Sequence, residues 1–382
     1  MSTKILILGA GFGGLTAATE LRAQLDDDCT ITLIDKSDHF IIGFSKFDVL
    51  FGRQTEEQVK SYYRDLAADG VNFIQTTIEK IDTDARQVTT QAGTHEYDYL
   101  IVALGADVVP AATPGLVEGG HEFYTLPGAA KLNPVITNFT AGHIVVAILG
   151  KPYKCPPAPY EAIFQLHDYY TQNGRRDQIE LTIVTPGPRP LPVSPSGSDE
   201  IERRLAARNI NFRTKTPITG IDPATNTALI DGQDPLPYDL FIGIPLHRPP
   251  AVVKEAGFGP KGWIPVNAAT LATNSPNVYA VGDVTTIPVG QFGVPKAGAF
   301  AESGAKIVVQ EIVRAITGQA TNHTFQGNGT CYLEFGGGDV AEIDANFLTH
   351  DAPRVNLVGP NPQLRANKEQ FSTSRLEKWF RT

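Results

Sequence analysis

The chain has 382 residues, 42% of them apolar and 19% charged, with a formal net charge of −9. That length carries two or three domains with their own cores, the composition is that of an ordinary soluble globular protein, and the acidic balance leaves no basic footprint for nucleic acid. The three cysteines, Cys29, Cys155 and Cys331, form no CxxC pair and the eight histidines lack HxxxH spacing, so neither a disulfide framework nor a metal site is expected.

The chain begins with Lys4-Ile-Leu-Ile-Leu-Gly9-Ala-Gly11-Phe-Gly13-Gly14-Leu-Thr-Ala-Ala-Thr-Glu-Leu21, which reads as strand, glycine turn and helix. Gly9 permits the tight turn, Gly11 lets the backbone meet a pyrophosphate, and Gly14 allows the helix to pack close to the strand. The helix N-terminus then faces the phosphates. Thr30-Ile-Thr-Leu-Ile-Asp35 is a second strand ending in an acid 21 residues beyond Gly14, placed for a ribose hydroxyl. A first strand directly after the initiator methionine leaves no n-region, h-region or cleavage site, and no run nears the ~18 apolar residues of a membrane span. A cytoplasmic protein is expected.

Tyr97-Asp-Tyr-Leu-Ile-Val-Ala-Leu-Gly105-Ala reads as a strand running into a turn that can pass close to a cofactor. Much later come Asn277-Val-Tyr-Ala-Val-Gly282-Asp283, a glycine-rich loop and a helix from about Ala299 to Thr317. Between them the strand–turn–helix–strand plan repeats: a strand at His143–Leu149, a helix near 160–171, a strand at Glu180–Thr185, and Tyr238–Gly243 echoing Tyr97–Gly105. The turn of this repeat is Gly150-Lys-Pro-Tyr-Lys-Cys155-Pro-Pro-Ala-Pro-Tyr160-Glu161. Its prolines fix φ and remove donor N–H groups, so the loop is stiff, poor at cradling phosphate, and suited to holding a thiol still. Thr185-Pro-Gly-Pro follows the next strand with no acid for a ribose, and no ordinary NAD(P)H site is expected there.

The Gly9–Gly14 turn, the Gly105 turn and Gly282-Asp283 together resemble the flavin-domain signatures of the pyridine nucleotide-disulfide oxidoreductase superfamily. The resemblance implies an α/β fold of two Rossmann-like dinucleotide-binding domains: an FAD-binding domain over 1–110 and 250–320, split by a second domain over 111–249, with a small C-terminal segment over 321–382. It implies that Asp283 holds the ribityl chain, a role compatible with capping a helix. Lys154-Cys155-Pro-Pro-Ala-Pro-Tyr-Glu161 resembles, more narrowly, the first active-site cysteine motif of sulfide:quinone oxidoreductases and of the flavoprotein subunit of flavocytochrome c sulfide dehydrogenases. Thr330-Cys331-Tyr-Leu-Glu-Phe-Gly-Gly-Gly338 matches the place of the second cysteine, 176 residues after the first, and Val294-Pro295-Lys296-Ala-Gly298 resembles the Pro-Lys loop set beside the flavin. Two departures matter. His121–Pro127 carries no third cysteine, and Asp38–Lys46 has none where flavocytochromes attach FAD, so FAD is expected to bind non-covalently. Cys29 reads as structural.

The resemblance implies oxidation of sulfide to polysulfide or sulfur. Hydrosulfide attacks a Cys155–Cys331 disulfide, leaving a persulfide on one sulfur and a thiolate on the other, and the flavin takes the electron pair. Glu161 is the first candidate for a base, and Lys296 for holding negative charge on reduced flavin. The plainer roles are two unrelated buried thiols, a first-turn acid favoured by the helix dipole, and a solvated loop lysine. Quinone is the expected acceptor. The rivals are a cytochrome c acceptor, an NADH-dependent persulfide or disulfide reductase, and a flavin redox sensor without turnover. Ala366–Thr382 reads as one short helix with a stripe of Phe371, Leu376 and Trp379 among basic residues, fit to touch the inner face of a membrane, the body or a second subunit of a homodimer.

Overall fold

The computed structural model describes residues 2–319 and 323–381, so the boundary expected at 320–321 and Thr382 lie outside the described residues. The chain builds β1 (Thr3–Leu8), helix α1 (Phe12–Gln24), β2 (Cys29–Asp35), the short helix α2 (Ser45–Leu50), β3 (Val71–Gln75) and β4 (Tyr99–Val102). Ile5, Leu6, Ile7 and Leu8 are all buried, as are Ile31, Leu33 and Ile34. Continuous apolar runs of this kind suit a parallel sheet covered on both faces.

After Val102 the chain leaves this sheet and makes a second one from β5 (Gly142–Ile148), helix α3 (Ala158–Gln172), β6 (Ile179–Val184), β7 (Ile210–Arg213) and β8 (Leu240–Ile244). Its strands are parallel in the order β7-β6-β5-β8. The chain then returns in β9 (Val278–Ala280), which pairs with β4 and completes the order β9-β4-β1-β2-β3 in the first sheet. The first sheet is therefore made from two separated stretches of sequence. Helix α4 (Gly298–Thr317) follows and packs against α1.

A third, antiparallel sheet comes from β10 (Asn328–Glu334), β11 (Val340–Asn346) and β12 (Arg354–Val358), with Cys331 opposite Ile343. The β10–β11 turn carries Gly336, Gly337 and Gly338 at φ of +80°, +63° and +85°, a left-handed run that only glycine adopts without strain. Phe335 packs its ring on Phe164 of α3 with centroids 5.0 Å apart, which docks this hairpin on the second domain.

The last helix, α5 (Pro362–Trp379), begins four residues before the expected Ala366. Asn361 caps it by accepting from Leu364 N–H at 3.1 Å, and Pro362 occupies the first turn, where a missing donor does no harm. Its apolar residues differ from a membrane-facing stripe. Trp379 is 1% exposed and stands edge-on to Phe12 and Phe40 at 5.6 and 5.4 Å, while Phe371 meets Phe12 and Phe44. Ala67 N–H donates to the Trp379 carbonyl at 2.9 Å, and Phe380 bridges to Leu66. The end of the tail is sewn onto the first domain, which takes Trp379 of the expected stripe, while Phe371 and Leu376 stay half-buried. No helix among the described residues is long and apolar enough to cross a membrane.

Removing the Trp379 ring opens a cavity that its aromatic neighbours cannot close. Trp379→Ala is expected to lower stability by about 3–5 kcal/mol, read as a shifted urea midpoint at unchanged m. A loss below about 1 kcal/mol would mean that the tail packs without holding the body together.

Candidate active site

The stiff turn after β5 places Cys155. Its φ is +53°, in the left-handed region that non-glycine residues rarely adopt. The surroundings hold it there: Cys155 N–H donates to the Lys296 carbonyl at 2.7 Å, and the Cys155 carbonyl accepts from Ala158 N–H at 2.9 Å. Strained backbone fixed in this way concentrates at functional sites. Cys331 reaches the same place from β10, its position set by the ladder to β11.

Both cysteines line a cavity of about 540 Å³, together with Glu161, Gly11, Gly105, Gly282 and Asp283. The cavity is within the range of small-molecule sites. The first turn of α3 offers the cavity no bare donor: Ala158 N–H is taken by the Cys155 carbonyl, Pro159 has none, and Tyr160 and Glu161 N–H turn back to the Pro157 carbonyl. Two other helix N-termini without side-chain caps open on it, α1 after Gly11 and α4 after Ala297. Their first-turn N–H groups have no partner within the helix and carry partial positive charge.

The glycine turn is closed against its own backbone and open toward the cavity. Gly9 has φ of +97°, and a Cβ there would meet the Ala103 carbonyl oxygen at 2.5 Å. A Cβ on Gly14 would stand 1.8 Å from the Gly9 carbonyl oxygen, whereas one on Gly11 would meet nothing within 4 Å. This donor set fits FAD: bare N–H groups and an open turn for two phosphates, the Asp283 side chain for a polyol, and a broad cavity ending at two thiols.

Two expected residues are placed differently. Asp35 lies outside the cavity lining and accepts from Ala10 N–H at 2.7 Å and Ser37 N–H at 2.8 Å, so its carboxylate braces the glycine turn. Lys296 points its ammonium at the Asp283 carbonyl and, at 3.2 Å, the Thr285 carbonyl, with the Trp263 ring 3.6 Å away. Burial pushes its pKa down to about 8. Lys296 thus steadies the Asp283 turn with its side chain and the Cys155 turn with its carbonyl, rather than projecting into the cavity.

Glu161 is 2% exposed. Lys368 of α5 reaches it at 2.8 Å and Glu334 of β10 at 3.0 Å, with the Phe44 ring 4.6 Å from the ammonium. Burial opposes the Lys368 charge, but the two carboxylates outweigh it and hold the ammonium above its ordinary value. Burial likewise pushes the Glu161 carboxyl up, with Lys368 pulling back.

Burial, then Glu161, raises the Cys331 thiol to about 12. Burial, Cys331 and Glu161 push Cys155 up further, and Lys46 of α2 is the charge that opposes them. Lys368 and Lys46 escape sequence reading because no spacing relates them to Cys155. Lys154 stood inside the motif without a role.

Residues 3–316 match the family model described as pyridine nucleotide-disulphide oxidoreductase. The chain belongs to this family. It is accordingly an FAD-dependent oxidoreductase, with the mixed α/β fold of parallel-sheet cores described above. It is similar to the sulfide-quinone reductase of Aquifex aeolicus, 28% identical over 94% of this chain and 86% of that one. It is also similar to a type II NADH:quinone oxidoreductase of Staphylococcus aureus, 24% identical over 83% of this chain and 84% of that one. The solved structure of the sulfide:quinone oxidoreductase from Aquifex aeolicus superposes with a TM-score of 0.87 over 98% of this chain and 91% of that one, at 23% identity, and shares the fold.

Lys368→Met leaves Glu161 buried without a counter-ion, beside the more exposed Glu334, which loses the same partner. A carboxyl whose folded pKa lies above its unfolded value of about 4.3 keeps a proton that the unfolded chain has given up, so stability falls as pH rises through that window. The variant is expected to lose about 3–5 kcal/mol at pH 8 and to recover much of it near pH 5, read by urea unfolding at both pH values. A loss independent of pH would show that Glu161 is not the group left unpaired.

Proposed function

We propose that this protein oxidises sulfide through the Cys155 and Cys331 pair and passes the electrons to a quinone. The observation that carries this reading is the meeting of two cysteines from different elements in the same cavity as Gly11, Gly105, Gly282 and Asp283. The similarity to a protein named sulfide-quinone reductase supports the same substrate and acceptor.

The resting form is a disulfide between the two sulfurs. Hydrosulfide attacks one sulfur, a new S–S bond forms, the old one breaks, and the outcome is a persulfide on one cysteine and a thiolate on the other. Bound FAD supplies the two-electron acceptor that no side chain can provide. Glu161, buried beside both sulfurs, takes the proton of the persulfide, and the Lys368 ammonium offsets the charge this site carries. Once that acceptor removes the electron pair, the persulfide and the thiolate would join as a trisulfide bridge, and each further hydrosulfide, with its own pair of electrons passed on, would add one sulfur until polysulfide leaves.

Phe12, Phe40, Phe44, Tyr332 and Phe371 form an aromatic wall of the cavity. Such a wall suits a flat apolar acceptor ring better than a protein surface, which favours quinone over a cytochrome.

Anaerobic titration of the FAD-loaded protein with sulfide is expected to bleach the flavin absorbance in the parent and to leave it unchanged in Cys155→Ser and Cys331→Ser, while NADH leaves the parent oxidised. Reduction by NADH with none by sulfide would overturn the reading in favour of a nicotinamide-linked enzyme. Bleaching by sulfide in both serine variants would remove the cysteines from the reaction.

A further inference from the structure

One wall of the cavity carries positive charge that the glycine turns and the thiol pair do not explain. Lys46, at the start of α2, and Lys154, in the stiff turn, both line it. Neither has an ion-pair or hydrogen-bond partner among the described residues. Lys46 stands near enough to Cys155 to favour its thiolate, and burial with Lys154 beside it pushes the Lys46 pKa down to about 8. The carboxylate that acts on Lys46, Glu122, is occupied in the turn before a helix at Leu126–Asn138: it accepts from Tyr124 N–H at 2.6 Å, from Thr125 N–H at 2.9 Å and from the Thr125 hydroxyl. Asp283 faces Lys154 but belongs to the turn that Lys296 braces.

Between these lysines and the second sheet stands a neutral polar pair. Tyr124 lines the cavity, is 5% exposed, and its hydroxyl has no hydrogen-bond partner. Behind it His247 is equally buried, edge-on to the Tyr124 ring at 5.2 Å. His247 Nδ1–H donates to the Pro245 carbonyl at 2.9 Å, which leaves Nε2 as a bare acceptor without a partner. Burial and the nearby lysines keep this ring neutral, with a pKa near 4. Buried donors and acceptors left unmatched are costly, and in a cavity wall they mark the place of a ligand. Two ammonium groups with a hydroxyl donor ask for a small anion.

We propose that Lys46, Lys154 and Tyr124 form a pocket that draws an anionic sulfur species, hydrosulfide or the charged end of a growing polysulfide, to the Cys155 side of the thiol pair. The identity of the anion rests on the sulfide reading above; the preference for negative charge does not.

The test uses the FAD-loaded Cys331→Ser protein, in which Cys155 cannot form the pair and is the cysteine on the cavity. Its alkylation is timed with anionic iodoacetate and with neutral iodoacetamide, and the ratio of the two rates is compared with the ratio for free cysteine. Fixed charge of one sign concentrates counter-ions in a cleft by about 10-fold to 10³-fold, and the carboxylates of Glu161 and Asp283 on the same lining hold the effect to the low end, so a ratio about tenfold above that of free cysteine is expected. Lys46→Met and Lys154→Met should each lower it, the double variant should abolish it, and Lys46→Arg should keep it.

A parent ratio equal to that of free cysteine, or a ratio unmoved by both methionine variants, overturns the pocket. So does loss of FAD from the lysine variants, because the charges would then belong to the cofactor. Sulfide titration of the otherwise unaltered protein separates the two readings. Anion preference without bleaching keeps the pocket and rejects sulfide as its ligand, whereas bleaching without anion preference keeps sulfide oxidation and rejects the pocket.

Discussion

The cavity depends on one buried ammonium. Lys368 joins Glu161 on the helix after the Cys155 turn to Glu334 at the end of the strand that carries Cys331, and it does so from the C-terminal helix. Three segments far apart in sequence are thereby registered by one charge. Buried ion pairs are weak evidence for net stability, because desolvation consumes most of the Coulombic gain. Their geometric demand is strong, since a carboxylate displaced from this ammonium would be buried and uncompensated. The two cysteines inherit their placement from that demand.

A second, backbone-level tie works alongside it. The Lys296 carbonyl holds the Cys155 N–H, and the Lys296 ammonium holds the Asp283 turn. The Pro-Lys loop is in this way a brace between the Gly282-Asp283 turn and the Cys155 turn. Its lysine acts by positioning the two turns, and Lys46 and Lys154, unpaired among the described residues, stand elsewhere on the wall.

Much of this was legible from residue order. The Gly9–Gly14 turn follows from steric limits that only glycine escapes, and the values at Gly9 and Gly14 show those limits at work. The repeated strand–turn–helix plan foretold two parallel sheets. The proline-fenced Cys155 announced a rigid turn. What stayed hidden has a common cause. Lys368 and Glu161 are 207 positions apart, and Lys46 and Cys155 come to one cavity from separate stretches of chain, so no local periodicity encodes either arrangement. The tail was ambiguous for a related reason: an apolar stripe on a short helix states that it will be covered, not by what. Here Phe12 and Phe40 of the first domain supply the cover.

The split first sheet and the late third sheet also set an order of assembly. A growing chain presents the glycine turn first, then the Cys155 turn, and only afterwards β9, Cys331 and Lys368. Domains fold as units, beginning from the N-terminal side during synthesis. The nascent protein thus carries Cys155 without Cys331 until about the last seventh of the sequence emerges, and Glu161 without its counter-ion until its last few turns of helix. Chain order alone keeps Cys155 and Cys331 from meeting until both of their sheets have been synthesised.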